Sequence, residues 1–158
     1  MEMCIKGRVL KVISDTIVDG PGLRTSVYFA GCGHHCKACH NPESWDFAGG
    51  HETTVGELVD EIKEYGNGKV TLSGGDPMYQ YKFVERLLGT LRDEIPGVDI
   101  WICTGFTMAE LESDPKYAGI LKLANAIVDG PFVLELKDET LEFRGSSNQK
   151  INYLRDRK

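Results

Sequence analysis

The sequence contains no apolar run of about eighteen residues, so no membrane-spanning helix is expected. Its first residues, Met1-Glu2-Met3-Cys4-Ile5-Lys6, lack the long apolar core of a signal peptide, and the expected compartment is the cytoplasm. Basic residues are in the minority, 18 against 24 acidic ones, which leaves a net charge of −6. A nucleic-acid-binding face needs a basic footprint, so broad nucleic-acid binding is excluded. There is no internal repeat, low-complexity stretch or linker, and a single domain over residues 1–158 is expected. Cysteine is scarce, with five in all. A chain of this size buries about 68–70% of its unfolded surface and needs no cross-links to fold. Disulfides are rare in the cytoplasm, so clustered cysteines there point to metal binding or redox chemistry.

Three of the five do cluster. Cys32, Cys36 and Cys39 lie in Gly31-Cys32-Gly33-His34-His35-Cys36-Lys37-Ala38-Cys39, with the spacing C-x3-C-x2-C. Iron–sulfur clusters are held by thiolates, usually four. Three protein ligands leave one iron open to a small molecule. The alternative is a structural zinc with a histidine as fourth ligand, and His34, His35 and His40 are all near in sequence. Structural zinc sites usually pair two distant knuckles, and no second C-x2-C or H-x3-H occurs, which favours the cluster without excluding zinc. His34 and His35 read as solvent-exposed loop residues. Cys4 and Cys103 stand apart, and Cys103, in the run Ile100-Trp101-Ile102-Cys103, reads as a small buried hydrophobe.

Short β-rich apolar runs alternate with amphipathic helical stretches. Strands are expected at Arg8–Ile13, Thr25–Ala30, Lys69–Ser73, Val98–Cys103 and Ala126–Val128. Thr54 and Glu57 form a capping-box pattern that opens a helix with Val55, Leu58, Val59 and Ile62 on one face. Further helices are expected at Phe83–Leu91, Thr107–Leu111 and Tyr117–Leu123, and Glu135–Glu142 reads as a solvated strand–turn surface. This alternation implies a mostly parallel sheet covered by helices. A closed eight-unit barrel takes about 250 residues, so an open, partial (β/α) barrel of about five or six mostly parallel strands is expected. Four polar, glycine-bearing loops follow strands: the cysteine loop, Ser73-Gly74-Gly75-Asp76, Thr104-Gly105 and Asp129-Gly130. In parallel α/β folds that edge of the sheet binds ligands.

In Ser73-Gly74-Gly75-Asp76-Pro77 two glycines let a ligand approach the backbone, and the acid beside them suits an ammonium group. Taken alone, the same residues read as a β-to-α turn with Asp76 as N-cap. Asp19-Gly20-Pro21-Gly22-Leu23-Arg24 is by itself a turn, and Gly145-Ser146-Ser147-Asn148 by itself a flexible tail.

Together these segments carry a resemblance. The cysteine spacing resembles the signature of the radical S-adenosylmethionine enzymes, with Ala38 standing where many members have an aromatic residue. Asp19–Arg24 with Cys39-His40-Asn41-Pro42-Glu43-Ser44-Trp45 resembles the glycyl-radical-enzyme activases. Trp101–Phe106, Val128–Val133 and Phe143–Gln149 resemble, in order and spacing, the activating proteins of the anaerobic (class III) ribonucleotide reductases, from about Val12 to Tyr153. The resemblance implies a 4Fe-4S cluster on Cys32, Cys36 and Cys39 and S-adenosylmethionine on its open iron. It implies that Gly74, Gly75 and Asp76 hold the amino end of that molecule. Ala38, Cys39, His40 and the loop Asp129, Gly130, Pro131, Phe132 and Val133 would flank its nucleoside. It further implies a radical S-adenosylmethionine fold, a reductase partner whose glycine loses a hydrogen, and an electron donor such as reduced flavodoxin. No side-chain acid or base is implied. Activation of another glycyl-radical enzyme, of the pyruvate formate-lyase type, and a non-enzymatic zinc module remain as alternatives.

Overall fold

The computed structural model describes residues 5–34 and 46–155. Strand β1 (Lys6–Thr16) pairs antiparallel with β2 (Arg24–Phe29) on one side and with β3 (His51–Thr54) on the other. Helix α1 (Val55–Tyr65) leads into β4 (Lys69–Gly74), and α2 (Tyr81–Glu94) into β5 (Asp99–Cys103). Two short helices, α3 (Met108–Ser113) and α4 (Ala118–Leu123), precede β6 (Ala126–Asp129), and β7 (Lys150–Tyr153) follows. Among the described residues the sheet has seven strands in the order β3-β1-β2-β4-β5-β6-β7 and is not closed. Its centre, β2-β4-β5-β6, is parallel, and β6 pairs antiparallel with β7. Among the described residues no helix is long and apolar enough to cross a membrane.

The five expected strands are present, and two more extend the sheet. Both additions are antiparallel edge strands of four residues. β3 is His51-Glu52-Thr53-Thr54, exposed or half-buried throughout, and is held by backbone pairing to β1. It needs no apolar face, so it leaves no hydrophobic pattern to read. The run from Glu135 to Glu142 forms a 3-10 turn at Leu134–Leu136 and a single bridge from Lys137 to Ser146. It is mostly exposed, as expected, without strand structure.

Helix α1 starts where its caps dictate. Glu57 N–H donates to Thr54 Oγ1 at 3.1 Å, and Thr54 N–H donates to Glu57 Oε1 at 3.0 Å. Thr107 and Glu110 repeat the same box at α3. The helices cover one face of the sheet. Val27, Phe29, Val70, Leu72, Ile100, Ile102 and Ile127 pack there against apolar residues of α1 and α2. Strand side chains alternate, so Ser26, Tyr28, Thr71, Ser73, Trp101, Cys103 and Val128 face the other way. On that side Trp101, Ala126 and Val128 form a small separate cluster with Phe143 and Ile151 packed on it.

At the amino end of the parallel strands lies a buried charge. Arg24 is fully buried, yet each guanidinium nitrogen donates. Nε reaches Thr71 Oγ1 at 2.8 Å, and one terminal nitrogen reaches Pro21 O at 2.8 Å and Asp99 Oδ2 at 2.7 Å. The other reaches the Val70 and Asp99 carbonyls, both at 3.0 Å. Through Pro21 this cation fixes the turn at residues 19–22. A Cβ on Gly20 would sit 2.8 Å from Arg24 Nε, so glycine is needed there.

Arg24→Ala leaves Asp99 without its cation and should lower the unfolding free energy by about 3 kcal/mol. Thr54→Ala should cost about 1 kcal/mol. Urea titration of both variants checks the order; equal losses would contradict the role given to Arg24.

Candidate active site

The site is built from the ends of the parallel strands. Past Phe29 the backbone continues the sheet pattern for two more bonds. Gly75 N–H donates to Phe29 O at 2.8 Å, and Asp76 N–H donates to Gly31 O at 2.8 Å. These bonds tie the Gly74-Gly75-Asp76 turn to the segment that leads into Cys32. Gly74 has φ +99°, and a Cβ there would lie 2.3 Å from Phe29 N, so only glycine allows the approach.

Asp76 is the meeting point. Its side chain is fully buried. Oδ1 accepts from Met78 N–H at 3.0 Å, which caps the turn Pro77–Gln80. The Thr104 hydroxyl lies 2.9 Å from both carboxylate oxygens, and Gly105 N–H donates to Oδ2 at 2.9 Å. His34 Nε2 stands 2.7 Å from Oδ2. The His34 ring also packs edge-on against Phe106, with centroids 4.7 Å apart, and its side chain is 16% exposed. The expectation of an exposed loop histidine is therefore corrected: an aromatic neighbour and a buried carboxylate draw His34 inward. His35 lies outside the described residues.

A cavity of about 590 Å³ opens on the face that the described helices leave uncovered, within the size range of about 300–1,000 Å³ usual for small-molecule sites. Ser73, Gly74, Gly75 and Cys103 line it, and buried Cys32 reaches its wall. The turn residues Ile17, Val18 and Asp19 form one rim. Asp19 Oδ2 accepts from Ser26 Oγ at 2.8 Å and from the Tyr28 hydroxyl at 2.6 Å. Burial, helped by the bond to Asp19, raises the Tyr28 pKa, so that phenol stays protonated. Cys103, expected as a small buried hydrophobe, is instead half-buried and lines the cavity, where loss of water contact pushes its thiol up to about 12.

The opposite rim is held from the C-terminal side. Gln149 Nε2 donates to Gly130 O at 2.9 Å, and Asn148 Nδ2 donates to Pro131 O at 2.8 Å. The hydroxyl of fully buried Ser146 accepts from Val133 N–H at 3.2 Å. Three side chains thus clamp the backbone of the loop 130–133. The segment that reads as a tail in isolation is a wall of the cavity, and Arg144 and Gly145 line it.

Of the residues singled out by sequence, the structure brings Cys32, Gly74, Gly75, Gly130 and Phe132 to one cavity. Asp76 sits behind that wall, covered by His34, Thr104 and Gly105. Asp129 turns to Met108 N–H at 2.8 Å and the Asn152 amide at 2.9 Å, and the Pro131 carbonyl and Val133 N–H are taken by the clamp. Cys36, Ala38, Cys39 and His40 lie outside the described residues. Sequence reading did not find the contacts of His34 and Thr104 to Asp76. The one available signal was that Thr104-Gly105 follows a strand.

At pH 8 a thiol near 12 is thiolate in about one molecule in ten thousand. Iodoacetamide should therefore spare Cys103 in the folded protein and label it on unfolding; labelling at the rate of an exposed thiol would overturn the assignment. Replacing Asn148 and Gln149 together by alanine should speed amide exchange at Val133 about tenfold or more, while exchange at Leu72 in the core stays slow. Mass-spectrometric exchange reads both.

Residues 18–152 match the family described as a 4Fe-4S single cluster domain. The chain is 39% identical over 146 residues to the anaerobic ribonucleoside-triphosphate reductase-activating protein of Vibrio cholerae, covering 86% of this chain and 91% of that protein. It is 38% identical over 149 residues to the protein of that name from Escherichia coli strain K12, covering 88% and 94%. The pyruvate formate-lyase-activating enzyme of Clostridium pasteurianum is 35% identical over 132 residues, which are 79% of this chain but 55% of that enzyme. A cysteine and two glycines at the carboxyl edge of a parallel sheet, with a cluster-domain match and full-length relatives above 30% identity, place this chain in the family of anaerobic ribonucleoside-triphosphate reductase-activating proteins, within the 4Fe-4S single cluster group.

Proposed function

We propose that this protein raises a glycyl radical on an anaerobic ribonucleoside-triphosphate reductase, using a 4Fe-4S cluster and S-adenosylmethionine. The observation that carries the reading is the meeting of Cys32 with the Gly74-Gly75 backbone at one cavity on the carboxyl edge of the sheet. The thiol-bearing wall and the side-chain-free glycine edge suit a cluster with a small molecule beside it. Cys32, Cys36 and Cys39 are the ligands in this reading. Gly74, Gly75 and Asp76 receive the amino end of S-adenosylmethionine, and Ala38, Cys39, His40 and the loop Asp129–Val133 flank its nucleoside. When bound and reduced, the cluster supplies the electron that splits S-adenosylmethionine into methionine and a 5′-deoxyadenosyl radical.

The chain's own part is positioning. No side-chain acid or base is assigned. The turn Asp19–Gly22, fixed by Arg24, seats the glycine loop of the partner, and the exposed Ile17 and Val18 beside it give that loop an apolar rim. Reduced flavodoxin is the kind of donor proposed, and the cytoplasm the compartment. The open sheet is read as the partial (β/α) barrel of the radical S-adenosylmethionine type, one domain over residues 1–158. The near-complete coverage of the reductase activators favours their partner over pyruvate formate-lyase, whose activase this chain matches over about half of that enzyme's length.

Anaerobic reconstitution with iron and sulfide should give charge-transfer absorbance, reductive cleavage of S-adenosylmethionine, and an oxygen-labile glycyl radical signal on a co-incubated reductase. Cys36→Ala should abolish all three; activity that survives it would remove the ligand assignment. A colourless, zinc-loaded protein with no affinity for S-adenosylmethionine would defeat the whole reading, and a radical raised only on pyruvate formate-lyase would change the partner.

A further inference from the structure

Residues 138–145 leave the body of the protein and return to it at one point. Asp138 N–H donates to Gly145 O at 3.2 Å, Lys137 and Ser146 form a bridge, and Ser147 N–H donates to Leu136 O at 2.9 Å. Gln149 Oε1 accepts from Gly145 N–H at 2.8 Å and from Ser146 N–H at 3.2 Å, which pins the returning chain. The neck is thus fixed by backbone groups. Past the neck the segment bonds back to itself. Thr140 N–H donates to Asp138 Oδ1 at 2.9 Å, and Leu141 N–H donates to Asp138 O at 3.4 Å. Arg144 makes long contacts, from Nε to Glu142 O at 3.3 Å and from a terminal nitrogen to Gln149 O at 3.4 Å.

An aromatic ring holds the far part of this segment against the sheet. Phe143 packs edge-on against Trp101, with centroids 5.6 Å apart, and lies on the cluster of Trp101, Ala126 and Val128. The backbone opposes that contact. Phe143 has φ +62°, in the left-handed region where a bulky side chain is rare and strained. Packing favours the lowered segment and the backbone disfavours it, so the two act against each other. A segment with a fixed neck and a contested anchor can lift about that neck without breaking any strand pairing. Its inner surface is a wall of the cavity, since every residue from Leu141 to Gly145 lines it, across from the turn at residues 17–19.

We propose that residues 138–145 are a lid over the ligand cavity, latched by Phe143 on Trp101, which lifts to admit S-adenosylmethionine and closes once it is seated. In the structure the lid is down. The same Gln149 that pins its neck donates to Gly130 O, so the lid hinges beside the loop proposed to flank the nucleoside. Closure keeps water from the place where a radical forms. This rests on the reading of the cavity as the site of S-adenosylmethionine, made above.

A protease that cuts after glutamate reads the lid directly, because the bond after the exposed Glu142 joins it to Phe143. Cutting there needs Phe143 off Trp101 and its backbone extended. On metal-free protein, Phe143→Ala should raise the cutting rate about tenfold, the size of one lost aromatic contact with its buried area, once each rate is divided by that of the matching peptide of residues 138–147. The bond after Glu61, within helix α1, reports global opening. An unchanged rate at Glu142, or equal normalised rates at the two bonds in both proteins, overturns the lid. A second readout uses the unaltered protein, in case the alanine variant folds poorly. On anaerobically reconstituted protein, S-adenosylmethionine at a concentration that equilibrium dialysis shows to be bound should slow the cut after Glu142 several-fold. Bound ligand without slowing overturns the lid and leaves the reading of the cavity standing. Absence of binding takes down that reading instead, and the Phe143→Ala comparison, which needs no ligand, still decides the latch.

Discussion

A carboxylate taken wholly out of water needs donors at its oxygens, and the carboxyl edge of this sheet is arranged around that need. Asp76 draws together the turn after β4, the Thr104-Gly105 segment after β5 and, through His34, the segment that carries Cys32. An unmet acceptor oxygen on a buried carboxylate would cost more than any one of these contacts contributes when water competes for it. The carboxylate therefore links the three segments, beside the backbone bonds Asp76 N–H to Gly31 O and Thr104 N–H to Val128 O. Arg24 performs the matching task at the amino edge, where a buried cation ties the turn at residues 19–22 to β4 and β5. The parallel strands thus have a satisfied ion at each end, and each ion sets a loop that borders the cavity. Neither is exposed enough for salt to screen it strongly.

The second constraint is the asymmetry of the sheet. The described helices pack on one face, where Val, Leu and Ile alternate inward. The other face carries Ser26, Tyr28, Thr71, Ser73 and Cys103, side chains too polar or too small to call for a helical cover. What covers it in part is the C-terminal segment, through Phe143 on Trp101 and through the clamp on residues 130–133. A cavity remains between that segment and the turn at residues 17–19. The room for chemistry follows from side-chain choice along four strands.

Periodic features were legible in the chain. The Thr54–Glu57 box, the face of α1, the five apolar strands and the glycine-bearing loops at their ends all leave a pattern, because hydrophobic spacing and capping are local in sequence. The same box at Thr107 and Glu110 was equally readable. Two edge strands were not, since backbone pairing holds His51–Thr54 without an apolar face. The inward turn of His34 was not either, because it depends on Asp76 and Phe106, far away in sequence. The clamp from Ser146, Asn148 and Gln149 consists of side chains reading backbone carbonyls and an amide, a relation that fixes no residue type on the partner side. Family resemblance identified those residues as a unit; geometry explains what the unit does.

That clamp also orders events in time. The central strands and α2 precede it in the chain and bury their apolar side chains against one another. The loop 130–133 gains its last restraints only once residues 146–149 have been synthesised and β7 has zipped onto β6. A ribosome-bound chain can therefore carry a formed helix-covered face while its ligand cavity is still missing a wall.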